Sequence, residues 1–374
     1  MAKKMYIGVD NKARRVKKAY IGIDNKARKI KKMYIGINNI ARCIFSSQEL
    51  IYEGLKANLL GEARTRLAAT SVGNYALFGG GINTSNSLET TRVDKIDESL
   101  TTGTASSLSQ ARFGLAATSV GNYALFGGGH KNSSSTNYST VDTYDTDCTR
   151  GSTHLSAGRY SLTATSVGNY ALFAGGHSVN SGGTWSQYDK VDAFNDTLTR
   201  FTATALSSAT ASAAAVSVGN YAIFAGGYTP NKGYRDTVDV YDANLTKIST
   251  TLTLSSARSD MAAASVGKYA LIGGGYKSTK FDTVEAFDVN LTKSTPTGLS
   301  TARSDLAAIS LSCYALFGGG GGTIVDAYDE SLSRFTPKGL SASRTSLAVA
   351  TVGEYALFGG GSSSLGVDVY TAEQ

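Results

Sequence analysis

Along most of this chain the apolar positions come in short strings broken by glycine, not in the i, i+3, i+4 spacing of a helix face. The phrase Leu-Ala-Ala-Thr-Ser-Val-Gly-Asn-Tyr-Ala-Leu-Phe-Gly-Gly-Gly at 67–81 recurs with small changes, its tyrosine standing at Tyr75, Tyr123, Tyr170, Tyr221, Tyr269, Tyr314 and Tyr355. A β-rich, glycine-punctuated period of roughly 40–50 residues is that of four-stranded propeller blades and not of helical solenoids. Each unit predicts four strands. Strand a is the Leu-Ala-Ala-Thr-Ser-Val string, small enough to crowd around an axis. A Gly-Asn pair such as Gly73-Asn74 then turns the chain, since both types tolerate positive φ. Strand b, Tyr-Ala-Leu-Phe, is apolar on both faces, as a strand between packed blades should be. Glycines and a variable loop lead to strand c, such as Thr237 to Asp242, and a short Asn/Asp turn leads to strand d, such as Leu245 to Ser249.

The last unit ends at Val367-Asp368-Val369-Tyr370, just after strand c. Residues near Ile51 to Glu62 are expected to supply its missing strand and close the ring, because closed β-architectures leave no edge exposed. The sequence therefore predicts an all-β chain: a seven-bladed propeller over 61–374, preceded by a segment of different character.

Composition agrees, with 42 Gly against 3 Pro. Cys43, Cys148 and Cys313 are too few and scattered for a disulfide scaffold, and suit a reducing compartment. The first residues lack the apolar core of a secretory signal, and no apolar run is long enough to span a membrane. Charge is uneven. Thirteen Lys or Arg against Asp10 and Asp24 give residues 1–44 a net of +11; the whole chain is +7, so the remainder is −4.

The basic segment has its own repeat, starting at Lys3-Lys4, Lys17-Lys18 and Lys31-Lys32. Each copy holds a Tyr-Ile-Gly strand, an Asp-Asn or Asn-Asn turn and a basic return strand, which is a β-meander signal. With so few apolar residues per copy, this arm (1–45) is expected to order against a partner or in a homo-oligomer. Residues 46–60 form a connector. Its Ser46-Ser47-Gln48-Glu49 spacing fits a capping box and a short helix as well as it fits a plain linker.

The diglycine closing an apolar strand, followed after a loop by Val-Asp-x-Tyr-Asp, resembles the kelch motif of galactose-oxidase-like propellers, although the late Trp of that motif is missing. The Lys-Lys-x-Tyr-Ile-Gly-x-Asp-x-x-Ala-Arg phrase of the arm resembles short repeats in structural proteins of phages and phage-tail-like particles of Gram-positive bacteria. That second resemblance implies a virion protein, made in the host cytoplasm, attached to other virion proteins through residues 1–45. Lys3, Lys4, Lys17, Lys18, Lys31 and Lys32 are the attachment candidates. Nucleic acid is a poorer partner, because the tyrosines of the arm sit in a strand pattern beside Ile and Val and the body is acidic.

No chemistry announces itself. The galactose oxidase copper site needs several histidines, and this chain has only His130, His154 and His177. His130 and His177 occupy equivalent places in neighbouring repeats, too far apart to share a metal. No Ser-His-Asp order, phosphate loop or paired acids stand out, so neither an enzyme nor a cofactor is expected. Arg64, Arg112, Arg159, Arg258, Arg303 and Arg344 recur just before strand a, with Thr210 breaking the series. They either ring the mouth of the axial channel and hold an anion, or pair within each blade with Asp94, Asp142, Asp192, Asp239, Glu285, Asp326 and Asp368; a feature repeated in every blade favours the second reading.

Departures from the repeat say more. The loops between strands b and c are longest in the third repeat and shortest in the last two, so one face is lopsided. They carry Tyr138, Trp185, Tyr188, Tyr228, Tyr234, Tyr276 and Phe281, side chains suited to sugar or protein contacts, with Trp185 foremost. The leading expectation is a tail-fibre or receptor-binding protein whose propeller grips a host-surface glycan or protein. The alternatives are a capsid-decorating or particle-stabilising protein with little adhesion, and a kelch-type carbohydrate-active enzyme.

Overall fold

The computed structural model describes residues 5–373 except 10–11, 17–18, 24–25, 31, 38–39, 47–48, 231 and 250. Seven four-stranded antiparallel sheets make seven blades, each in the order a-b-c-d. Blade one shows the pattern: a is Ala68–Val72, b is Tyr75–Gly79, c is Val93–Asp97 and d is Thr102–Thr104. Strand a alternates buried and half-buried positions, one side facing the axis and the other the sheet core, whereas strand b is buried at every position after its tyrosine. In the a–b turn only the glycine takes positive φ (+52° at Gly73), and Asn74 does not need its tolerance.

Blades are joined by two devices; the second runs around the ring without a break, and the first changes where Ala174 and Ala225 end strand b and where Ile272 replaces the phenylalanine. The first is apolar. The glycine ending strand b receives the edge of the phenylalanine on the next blade: a Cβ on Gly79 would meet Phe126, one on Gly127 would meet Phe173, and one on Gly359 of the last blade would meet Phe78 of the first. Each such phenylalanine is essentially fully buried, which stabilises the fold by about 1.5–3 kcal/mol apiece. The second device is polar. The second glycine of the diglycine donates its N–H to the carbonyl that precedes the next blade, from Gly81 to Arg112 (2.9 Å) around to Gly361 and Arg64 (2.8 Å). This approach demands glycine: φ is +111° at Gly129, and at Gly128 a Cβ would lie 2.5 Å from the Arg159 carbonyl.

Blade seven is completed from the other end of the chain. Strand Glu49–Lys56 pairs with Val367–Glu373, with a bulge between Val369 and Tyr370. Residues 49–56 are thus a closing strand and not the helical connector that the Ser46–Glu49 spacing suggests, and the propeller begins at Glu49 rather than at 61. Upstream lie three separate two-stranded hairpins, Met5–Val9 with Lys12–Val16, Ala19–Ile23 with Lys26–Ile30, and Lys32–Ile37 with Ile40–Ser46.

Candidate functional site

The arginine series does not ring the channel mouth. Arg64, Arg112, Arg159, Arg258, Arg303 and Arg344 are all buried, each against the acid on strand c of its own blade. Arg112 Nη2 lies 2.7 Å from Asp142, Arg159 Nη2 2.8 Å from Asp192, Arg344 Nε 2.9 Å from Asp368 and Arg258 Nη1 3.6 Å from Glu285. Arg64 and Arg303 pair likewise with Asp94 and Asp326. The same acids also accept from the backbone N–H three residues before the arginine, Gly61 in blade one and a serine elsewhere: Ser156 N–H reaches Asp192 at 3.0 Å and Ser341 N–H reaches Asp368 at 2.8 Å. A basic residue from strand d or the start of strand c, or Tyr52 in the last blade, takes a further oxygen. Blade four, lacking the arginine, pairs Asp239 with Lys247 at 2.8 Å, and Thr210 Oγ1 makes the bond to the Gly226 carbonyl that arginines make elsewhere. Burial lowers the Arg112 pKa and Asp142 opposes that fall, so this network ties connections to blades and offers nothing to a ligand.

What lines the mouth is the position two residues after each arginine, just ahead of strand a. Arg66, Gly114, Ser161, Ser212, Asp260, Asp305 and Ser346 all adopt left-handed φ between +51° and +64°. Each donates its N–H to the carbonyl of its counterpart in the preceding blade, from Gly114 to Arg66 (3.2 Å) around to Arg66 and Ser346 (2.9 Å). This closed circle of backbone bonds rims a cup of about 250 Å³. A collar of Leu67, Leu115, Leu162, Met261, Leu306 and Leu347 floors it and separates it from a second axial cavity of about 270 Å³ walled by alanines. The rim column varies, Arg-Gly-Ser-Ser-Asp-Asp-Ser, while two residues earlier six of the seven repeats keep an arginine. That variability was the available signal.

The rim is chemically uneven. Asp260 and Asp305 sit on adjacent blades, joined through Asp305 N–H and the Asp260 carbonyl at 3.1 Å. Ser259 Oγ donates to Asp260 Oδ2 at 2.6 Å. Burial, and then the nearby Asp260 charge, push the Asp305 carboxyl up. Neither acid forms an ion pair with a described residue, and Arg66 packs over the Phe113 ring at 5.6 Å.

Aromatic side chains stand outside the rim in an arc over blades two to five. The residue after each diglycine bridges to the residue before the rim: His130 with Phe113, His177 with Tyr160, Tyr228 with Ala211, Tyr276 with Ser259. The Tyr160 ring contacts both His130 (4.7 Å, stacked) and His177 (4.1 Å, edge-on), so a tyrosine fills the space a shared metal would need. No metal-holding cluster of His, Cys, Asp and Glu occurs among the described residues. Trp185 packs on His177 at 4.7 Å yet stays 45% exposed. Burial, with a smaller push from His130, lowers the His177 pKa to about 4, and neither ring nitrogen has a hydrogen-bond partner. Tyr228 lies 5.0 Å from Tyr234, which meets Tyr276 edge-on at 6.3 Å.

Of the loop aromatics singled out from the sequence, Trp185, Tyr228, Tyr234 and Tyr276 therefore belong to this face. Tyr188 and Phe281 instead cap the buried Arg159 and Arg258 at 6.0 and 5.4 Å, and half-buried Tyr138 takes the equivalent place near Arg112. Phe113, Tyr160, Asp260, Asp305 and Arg66 escaped sequence reasoning, and His177 was weighed there only as a metal ligand. Among the attachment candidates, Lys3, Lys4, Lys17, Lys18 and Lys31 lie outside the described residues, and Lys32 opens the third hairpin opposite Ser46.

No family model and no curated protein matches this chain. Solved structures do, 864 chains in all, a breadth that belongs to a fold used for many purposes and points to none of them. The structure of YjhT aligns with a TM-score of 0.52 at 14% identity, covering 69% of this chain and 92% of that one. At that identity the likeness extends to the β-propeller fold alone.

Proposed function

We propose that this chain is a structural protein of a phage or phage-tail-like particle, built on a kelch-type propeller. It holds to the particle through residues 1–45 and presents the axial cup and aromatic arc to a glycan on a Gram-positive host cell. The observation that carries the reading is the single face on which a polar cup of about 250 Å³ is bordered by exposed Trp185, Tyr228 and Tyr276. Sugar rings offer apolar C–H faces to aromatic rings and hydroxyls to carboxylates and serines, and this face supplies both. The arm fits an anchor: a lone two-stranded hairpin is marginal in water, so three of them gain stability by completing sheets against particle proteins or further copies of the arm.

The test is binding of fluorescently labelled full-length protein to a panel of Gram-positive cells, beside Trp185→Ala. Strain-selective binding that the variant loses supports adhesion. Absence of binding to every strain, with the protein still joining particles, leaves decoration as its role. A second reading rests on one observation, the adjacency of Asp260 and Asp305 with the latter's pKa raised. A pair of carboxyl groups, one of them with its pKa raised by burial, is the kind of arrangement that cleaves a glycosidic bond. Release of reducing ends from bound wall glycan, lost in Asp305→Asn, would establish cleavage; binding without release would dismiss it.

A further inference from the structure

We infer that the site takes an extended glycan chain of several units lying across the propeller face, and not a single terminal sugar. This rests on the glycan-binding reading above and specifies the shape of the ligand. At about 250 Å³ the cup falls below the roughly 300 Å³ at which pockets begin to enclose a whole small molecule. Its Leu collar stops deeper insertion, so the cup holds about one ring or one substituent. The exposed aromatics lie beyond it. Trp185 rises from blade three, and Tyr228 and Tyr276, each 39% exposed, from blades four and five. No one sugar seated in the cup covers all three.

The ground between them is low. On blade four the positions flanking the rim carry Ala211, Ser212 and Ala213, where blade three has Tyr160, Ser161 and Leu162. Thr210 also replaces the arginine there. A chain can thus run from the indole of Trp185 over blade four and along the tyrosine cluster of blades four and five, with one unit dipping into the cup. Loops over blades six and seven are short, leaving that side open for the chain to leave the face. Exposed aromatic surface that fits no other role in the fold gains a use only if the ligand is this long.

The chain contains a single Trp, so its emission reports from this site without a label. The probe is wall polysaccharide purified from a strain that the full-length protein binds, intact and hydrolysed to sized fragments, titrated against wild type and Tyr276→Ala. Tyr276 is exposed, and an unchanged melting temperature confirms that the variant folds. The expected result is affinity that rises at least about tenfold from single repeat unit to oligomer, with Tyr276→Ala losing more affinity for the oligomer than for the single unit. Equal affinity for short and long fragments, or an equal loss at all lengths in Tyr276→Ala, would overturn the extended-chain inference and leave glycan binding intact. Failure of intact polysaccharide to bind at all would overturn both.

Discussion

Two kinds of polar residue share the top of each blade, and burial separates their roles. Arg112 and Asp142 are withdrawn from water and tie one blade together. Removing one partner strands a buried charge, so Asp142→Ala is expected to cost about 3–5 kcal/mol, whereas Arg150→Ala, with its side chain 34% exposed, costs at most about 1 kcal/mol. Denaturant midpoints of the two variants check the contrast. His177 shows the same economy of water with the opposite sign. It is a base whose folded pKa, about 4, lies below its ordinary 6.5. Between those values the unfolded chain binds more protons, so stability falls as pH drops from 6.5 toward 4 and levels off below. His177→Phe should flatten that slope. In the wild type, Trp185 emission should drop with a midpoint near 4 as the adjacent imidazole becomes charged.

At the scale of elements, strands a, b and c were legible because their residue types answer to fixed demands: small near the axis, apolar between blades, glycine at close approach. Strand d was faint, since in blades four to six it is only two residues long, as at Lys247–Ile248. The closing strand was foreseen in place but set two residues late at its start, and the local helix cap signal at Ser46–Glu49 lost to pairing with Val367–Glu373. The site was less legible. Exposed aromatics such as Trp185 could be found by their loops, but only the assembled blade shows that Tyr188, just ahead of strand c, covers Arg159 whereas Tyr228, just after the diglycine, does not. Asp260 and Asp305 become neighbours only when the blades are set in a ring. The closure carries a test of its own. Removing residues 1–48 should leave a cooperatively unfolding propeller, while removing 1–56 bares the edge of Val367–Glu373 and should give aggregation; melting curves and gel filtration tell them apart.

For the whole molecule, two closed circles of backbone bonds, reinforced by glycine–phenylalanine contacts between most blades, make a rigid disc whose two faces differ. One face carries tight a–b and c–d turns, such as those at Asn122 and Asp147, together with the ends of the closing strand pair at Glu49 and Glu373. The other carries the cup, the paired acids and the aromatic arc, placed on a scaffold that has little freedom to rearrange around a ligand. On this account binding is a property of one face. The most direct test is equilibrium binding of full-length variants to isolated cell walls of a strain that the wild type recognises. Trp185→Ala, Asp260→Asn and Tyr276→Ala change the cup face, and Asn122→Ala and Asp147→Ala change the opposite one. The account expects the first three to weaken binding at least about tenfold and the last two to leave it unchanged. Loss through Asn122 or Asp147, with the cup-face variants binding as wild type does, would contradict it.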